Sequence, residues 1–290
     1  MTHHWLRAMH LGPQNIVPIT AERHLEHAAA RRCLIDAGDF ERRYELLKGN
    51  FLAWEDFCAQ WDLRATIDFD HTYDRWAAVI LEADRHIMNL LSTGRTYVDQ
   101  VVRDFTSFGG EGHFAEKAKE LMHAAYDRSF DYRFIYELRD RAQHRALPVD
   151  GIDGGIRPKA GDSERTLFYA SKKRIESDRG KFKKRVLDEA GEKIDLRLLL
   201  RGYMTEMSKI HIALRETVEA ECLRSRATIN LAIKDYVSAQ EEDGSSGNKA
   251  LGLASVVEAE DSICDIVPLL LDWDDVRVKL AATNRFPIKF

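Results

Sequence analysis

Three observations predict an all-α fold, an antiparallel bundle of long helices. Glycine and proline are sparse, 17 and 6 among 290 residues, whereas sandwiches and barrels need frequent Gly/Pro turns. Apolar residues recur every three or four positions over long stretches, the period of one helix face. The 44% hydrophobic share and the mixed charges, 43 Lys+Arg against 48 Asp+Glu, exclude a disordered chain. The net charge of −5 argues against a general duplex-coating protein, which would be basic, but leaves room for a local basic site.

Residues 1–20 carry Gly12, Pro13 and Pro18 and read as an irregular arm with room for a short strand. Thr20 followed by Glu22 starts a helix over 20–35. Gly38 then interrupts, and a second helix over 40–61 carries Tyr44, Leu47, Phe51, Trp54 and Cys58 on one face. The longest stripe, through Trp76, Ala83, Ile87, Leu91, Val98 and Phe105, predicts a helix over 72–105. Gly109, Gly110 and Gly112 mark a turn before a short helix over 111–126. Ser129 caps the next helix, which Pro148 must stop. The Pro/Gly-rich stretch 148–163 is the best boundary, and 166–169 reads as a short strand. A second long helix is expected over 196–240, a linker over 241–249, and a terminal helix over 263–282 with Pro268 in or near its first turn. The division expected is an arm (1–20), a helical core (21–150) and a helical C-terminal region (151–290), the last packed on the core or separate from it.

Cys33, Cys58, Cys222 and Cys264 lie far apart with no Cys-x-x-Cys pair, so they read as buried thiols of a reducing compartment. The histidines show no metal-ligand spacing, and no metal or cofactor is expected. No apolar run suits a membrane span, and Met1–Trp5 lacks the apolar core of a signal peptide, so a cytoplasmic location is expected.

The chemistry concentrates in 132–149, YRFIYELRDRAQHRALPV. Asp140 and His144 stand four apart, where a carboxylate can hold one imidazole nitrogen and raise the basicity of the other. Arg139 supplies a guanidinium for a phosphate. At ~100° per residue, Arg139 and His144 diverge by about 140° on one straight helix. Convergence therefore needs either a loosened helix end or two copies of the motif. Between 139 and 185 stand 14 Lys/Arg against 7 Asp/Glu, a local basic excess in an acidic chain. Arg141, Arg145, Lys172, Lys173 and Arg174 would form an RNA-approach face, and Tyr132 and Tyr136 would stack bases. Ser92, Arg95 and Asp99 form a polar stripe placed to support the motif from a neighbouring helix.

Arg139-Asp140-Arg141-Ala142-Gln143-His144, at a helix end and followed by Pro148, resembles the motif of HEPN domains. The wider text of 81–100 and 126–149 resembles a bacterial HEPN-like group, and the resemblance covers about residues 70–150. It implies a HEPN-like helical core and a metal-independent endoribonuclease in which two protomers pair and their motifs line one cleft. Arg139 and His144 would be the catalytic pair, with Asp140 in the polar position after the arginine. The histidine would act on the ribose 2′-OH or the leaving 5′-oxygen, and the arginine would hold the phosphate. The implied setting is stress or phage defence, with RNA, a second copy of the chain and an antitoxin or other regulatory protein as partners. The alternative is a non-catalytic HEPN-like scaffold that binds RNA, nucleotides or protein.

Overall fold

Amphipathic stripes become helices in the computed structural model, which describes residues 2–9, 16–68, 72–105, 108, 113–154, 165–178, 182–242, 252–260 and 262–290. The chain is mostly helical. The helices are α1 (Ala21–Ile67), α2 (Tyr73–Arg103), α3 (His113–Arg128), α4 (Phe130–His144), α5 (Lys172–Ser177), α6 (Lys184–Asp188), α7 (Leu196–Glu242) and α8 (Asp272–Thr283). The strands are β1 (Thr2–Ala8), β2 (Val17–Pro18), β3 (Gly151–Asp153), β4 (Leu167–Ser171), β5 (Lys193–Asp195), β6 (Leu253–Ala259) and β7 (Ser262–Pro268). No described helix is long and apolar enough to cross a membrane. The expected glycine turn at 109–112, most of the 148–163 connection and most of the 241–249 linker lie outside the described residues.

The helical expectation holds for most of the chain, to which two antiparallel sheets are added, one ordered β2-β1-β6-β7 and one ordered β3-β4-β5. The expected arm supplies β1 and β2, and the C-terminal region is mixed rather than purely helical. The terminal helix starts at Asp272, because 262–268 is a strand. Pro268 closes that strand opposite Ala254, where an edge position tolerates a missing N–H. Gly38 does not interrupt α1. Buried Leu34, Ala37, Phe40 and Tyr44 carry the stripe across it, and packing outweighs the roughly 1 kcal/mol that a helical glycine costs.

Two compact units share the chain. The first takes residues 1–42, 105–114 and 214–285. In it Phe40 meets Phe105 and Phe114 edge-on at 5.7 and 5.8 Å. His24 of α1 reaches the sheet, with Nδ1 2.8 Å from Ser255 Oγ and Nε2 3.0 Å from Asp265 Oδ2. These are the residue types of a hydrolase triad. Ser255 is fully buried, so no substrate reaches it, and the chain of bonds acts as a staple between α1, β6 and β7. The bond to His24 holds the Asp265 carboxyl below the usual carboxylate range.

The second unit takes residues 43–104, 115–213 and 286–290. Trp54, Phe134 and Phe168 are among its largest fully buried side chains. Glu55 of α1 accepts two bonds from Arg201, at 2.7 and 2.6 Å, and one from Arg197 at 3.0 Å, tying α1 to α7. Gly94 on α2 is where Tyr203 of α7 comes closest, since a Cβ there would overlap the Tyr203 hydroxyl. Gly94→Ala is therefore expected to lower unfolding free energy by about 1–3 kcal/mol, despite the better helix propensity of alanine. Denaturant unfolding checks this, and a stabilised variant would show that Tyr203 moves aside freely.

Candidate functional site: the two faces of α4

Ser129 starts α4 as expected, its Oγ accepting the Tyr132 N–H at 3.2 Å. The helix ends at His144, four residues before Pro148. Proline restricts the residue before it, and a buried arginine ties the turn that leads there. Arg141 Nε donates to Asp178 at 2.7 Å, its Nη2 to Asp150 at 3.0 Å and its Nη1 to the Leu147 carbonyl at 3.3 Å. Asp150 also accepts the Ser171 N–H at 2.8 Å, which joins β4 to the same knot. Arg141 was expected on the RNA face. Its side chain is only 5% exposed and its donors are engaged, so it is a structural pin instead.

Arg139 faces one cleft, between α2, α4 and α7, with Arg95, Tyr132, Tyr136 and Tyr203 among its walls. Its Nε is buried and has no hydrogen-bond partner among the described residues. A buried guanidinium nitrogen without an acceptor is costly and marks a place where an anion would be favoured. Arg95 stands across the same cleft, bonded to Asp99 at 2.8 Å, with its guanidinium 5.9 Å from the Tyr136 ring. Arg95 lines this cleft from α2, and Asp99, its ion-pair partner, lines the neighbouring groove instead. Ser92 is exposed and is not part of the cleft wall.

His144 faces a second cleft, with Arg145, Ile175, Asp178 and Phe182. Its Nε2 lies 3.8 Å from Asp140 Oδ1, and both side chains are well exposed, 61% and 59%. At that distance and exposure the pair is a loose ionic contact rather than a formed hydrogen bond. Asp140 borders both clefts, while Arg139 and His144 each line only one. The divergence expected from helical geometry is what the structure displays.

Of the expected stacking residues, Tyr136 is 47% exposed and available, while Tyr132 is buried, its ring 5.6 Å from that of Tyr203. Tyr132 lines the cleft, and burial pushes its hydroxyl up to about 12. Lys173 and Arg174 are exposed on α5. Arg174 also donates to the Asp150 carbonyl at 3.2 Å, and Lys172 is spent on the Ala190 carbonyl at 3.2 Å. Arg145 is exposed beside His144.

Sequence reading missed Tyr203, Tyr126 and Asp84. Tyr203 looked like one more member of an apolar stripe. Asp84 had a signal, a carboxylate next to Ala83 in the apolar stripe of α2. It is buried and accepts the Val149 N–H at 2.9 Å, holding the segment after α4. Among the described residues, no group of three or more His, Cys, Asp or Glu is placed to hold a metal ion.

No family model, curated protein or solved structure matches this chain.

Two outcomes follow from the knot at the end of α4. Arg141→Ala should lose about 3–5 kcal/mol of stability, because it strands buried carboxylates, whereas exposed Arg145→Ala should stay within about 0.5 kcal/mol. Equal denaturant midpoints would remove Arg141 from its structural role. Burial also raises the Asp84 carboxyl to about 6. The folded state then binds this proton more tightly than the unfolded chain does. The associated stability is present below about pH 4 and is lost as pH rises through 6, on the order of 3 kcal/mol. Asp84→Asn keeps an acceptor for Val149 without the charge. It should match the parent near pH 4 and exceed it near pH 8, and a pH-independent difference in unfolding free energy would refute the shift.

Proposed function

We propose that this chain is a metal-independent endoribonuclease of the HEPN type, acting as a homodimer whose cleft joins Arg139 of one protomer to His144 of the other. The observation that carries the reading is the Arg139 Nε, buried beside exposed Tyr136 and lacking an acceptor among the described residues. A phosphate oxygen would supply that acceptor.

Arg139 holds the scissile phosphate, with Arg95 across the cleft adding a second positive charge as negative charge develops on the phosphoryl oxygens. His144 takes the proton of the ribose 2′-OH, and the 2′-oxygen attacks the adjacent phosphorus. The bond from phosphorus to the 5′-oxygen breaks, and that oxygen leaves as a hydroxyl after taking up a proton. The products end in a 2′,3′-cyclic phosphate and a 5′-hydroxyl. Asp140, 3.8 Å from the imidazole, is placed to orient the ring.

A second reading, an RNA- or nucleotide-binding scaffold without cleavage, is favoured by one fact: Arg139 and His144 of a single chain line different clefts. Mixing variants separates the two readings. Arg139→Ala and His144→Ala should each abolish RNA cleavage in excess chelator while leaving the fold intact. In a two-fold dimer, a mixed pair carries one site with both residues native and one with neither. Statistical mixing of the two inactive proteins should therefore restore about a quarter of parental activity. No restoration would overturn the shared site, and no cleavage by the folded parent on varied RNAs would favour the scaffold.

A further inference from the structure

Next to the Arg139 cleft, and sharing Tyr132 and Tyr136 as walls, runs a groove between α2, α3 and α4. Its wall is apolar where Val98, Val102 and Met122 line it. Its aromatic part is Tyr126 and Tyr136, whose ring centroids lie 5.9 Å apart at 90°. Lys183 stands over both rings, 4.9 Å from the Tyr126 centroid and 5.5 Å from that of Tyr136. Its ammonium donates to the Tyr126 hydroxyl at 2.8 Å and pairs with Glu137 at 3.0 Å. The ammonium is thus held over the two rings by a hydrogen bond to Tyr126 and an ion pair with Glu137.

We infer that this groove is a nucleobase subsite, holding the base of the RNA nucleotide whose phosphate lies at Arg139. The inference rests on the ribonuclease reading and adds what the site recognises besides phosphate. An apolar wall and two perpendicular rings suit a flat, weakly hydrated heterocycle, and stacking on aromatic side chains is how single-stranded RNA is commonly held. The charge is complementary as well. Lys119 and Lys183 border the groove, Lys183 paired with Glu137 and the bordering Asp99 engaged by Arg95, which leaves the charge of Lys119 to face the nucleotide. Continuity through Tyr136 lets one nucleotide occupy both places. The exposed part of Tyr136 serves the base while Arg139 and Arg95, on the far side of that ring, serve the phosphate.

A matched pair of ligands isolates the base. Adenosine 5′-monophosphate and ribose 5-phosphate are titrated into the full-length protein and the two dissociation constants compared. The parent should bind the nucleotide about ten-fold tighter, within the range that one stacked base adds. Tyr126→Ala should abolish that ratio, and Tyr126→Phe, which keeps the ring but not the hydroxyl, should largely retain it. Arg139→Ala should weaken both ligands by the same factor. If both ligands bind equally well to the parent and still depend on Arg139, the base subsite is wrong and the phosphate site stands. If Tyr126→Ala leaves the ratio intact, the base lies elsewhere. If Arg139→Ala changes neither ligand, the ribonuclease reading fails and the subsite fails with it. Circular dichroism of each variant shows whether the fold is retained, and Val102→Glu, which replaces part of the apolar wall by a bulkier hydrated side chain without removing a ring, should reproduce the loss of the ratio if Tyr126→Ala does not fold.

Discussion

The ion pairs of Arg141 are the interaction on which the geometry of α4 depends. One buried guanidinium gathers Asp150, Asp178 and the Leu147 carbonyl. Through Asp150 it also fixes the start of α5, because the same carboxylate accepts the Ser171 N–H. A buried pair of this kind contributes little net stability compared with apolar packing, but a loose end would be severely destabilising. It therefore acts mainly by excluding other arrangements. The helix must end where Arg141 can reach the turn, and that leaves His144 and Arg145 beyond the packed part, in solvent.

The same cluster explains the neighbouring carboxylate. Asp84 shares its surroundings with Asp150, so Arg141 offsets only part of the negative charge. Burial is the larger influence and favours the protonated form. The segment after α4 is thus held by Arg141, through Leu147 and Asp150, and by Asp84, through Val149. Its position places α5, whose Ile175 lines the His144 cleft and which carries exposed Lys173 and Arg174.

Helix α4 is a partition. Asp140, which borders both clefts, stands on its crest, with Arg139 in one cleft and His144 in the other. A helix this well anchored at both ends, by Ser129 at the start and Arg141 near the finish, does not bend to bring the two together. If the pair acts on one phosphate, symmetry has to supply what the single chain separates. Gly94 contributes at a distance, since only a residue without a Cβ lets Tyr203 close the wall behind Arg139.

Much of this was legible in local pattern. The stripe of α2, the Ser129 cap, the long helix from Leu196 and the strand near 167–171 follow from periodicity and capping chemistry, which depend on residues a few positions apart. So does the separation of Arg139 from His144, because a helical pitch is a local property. The sheet of β1, β6 and β7 was not legible, since Leu6 and Val256 lie about 250 positions apart and their strands are stable only when paired. Nor was the fate of Arg141. Its charge and its place among other basic residues read as a surface, and only partners at 150 and 178 make it a buried pin. The sequence alone determined which groups the chain has for chemistry and the faces on which they stand. Tertiary packing decided which of them remain open to a ligand, because desolvation and pairing depend on segments that meet only in the folded chain.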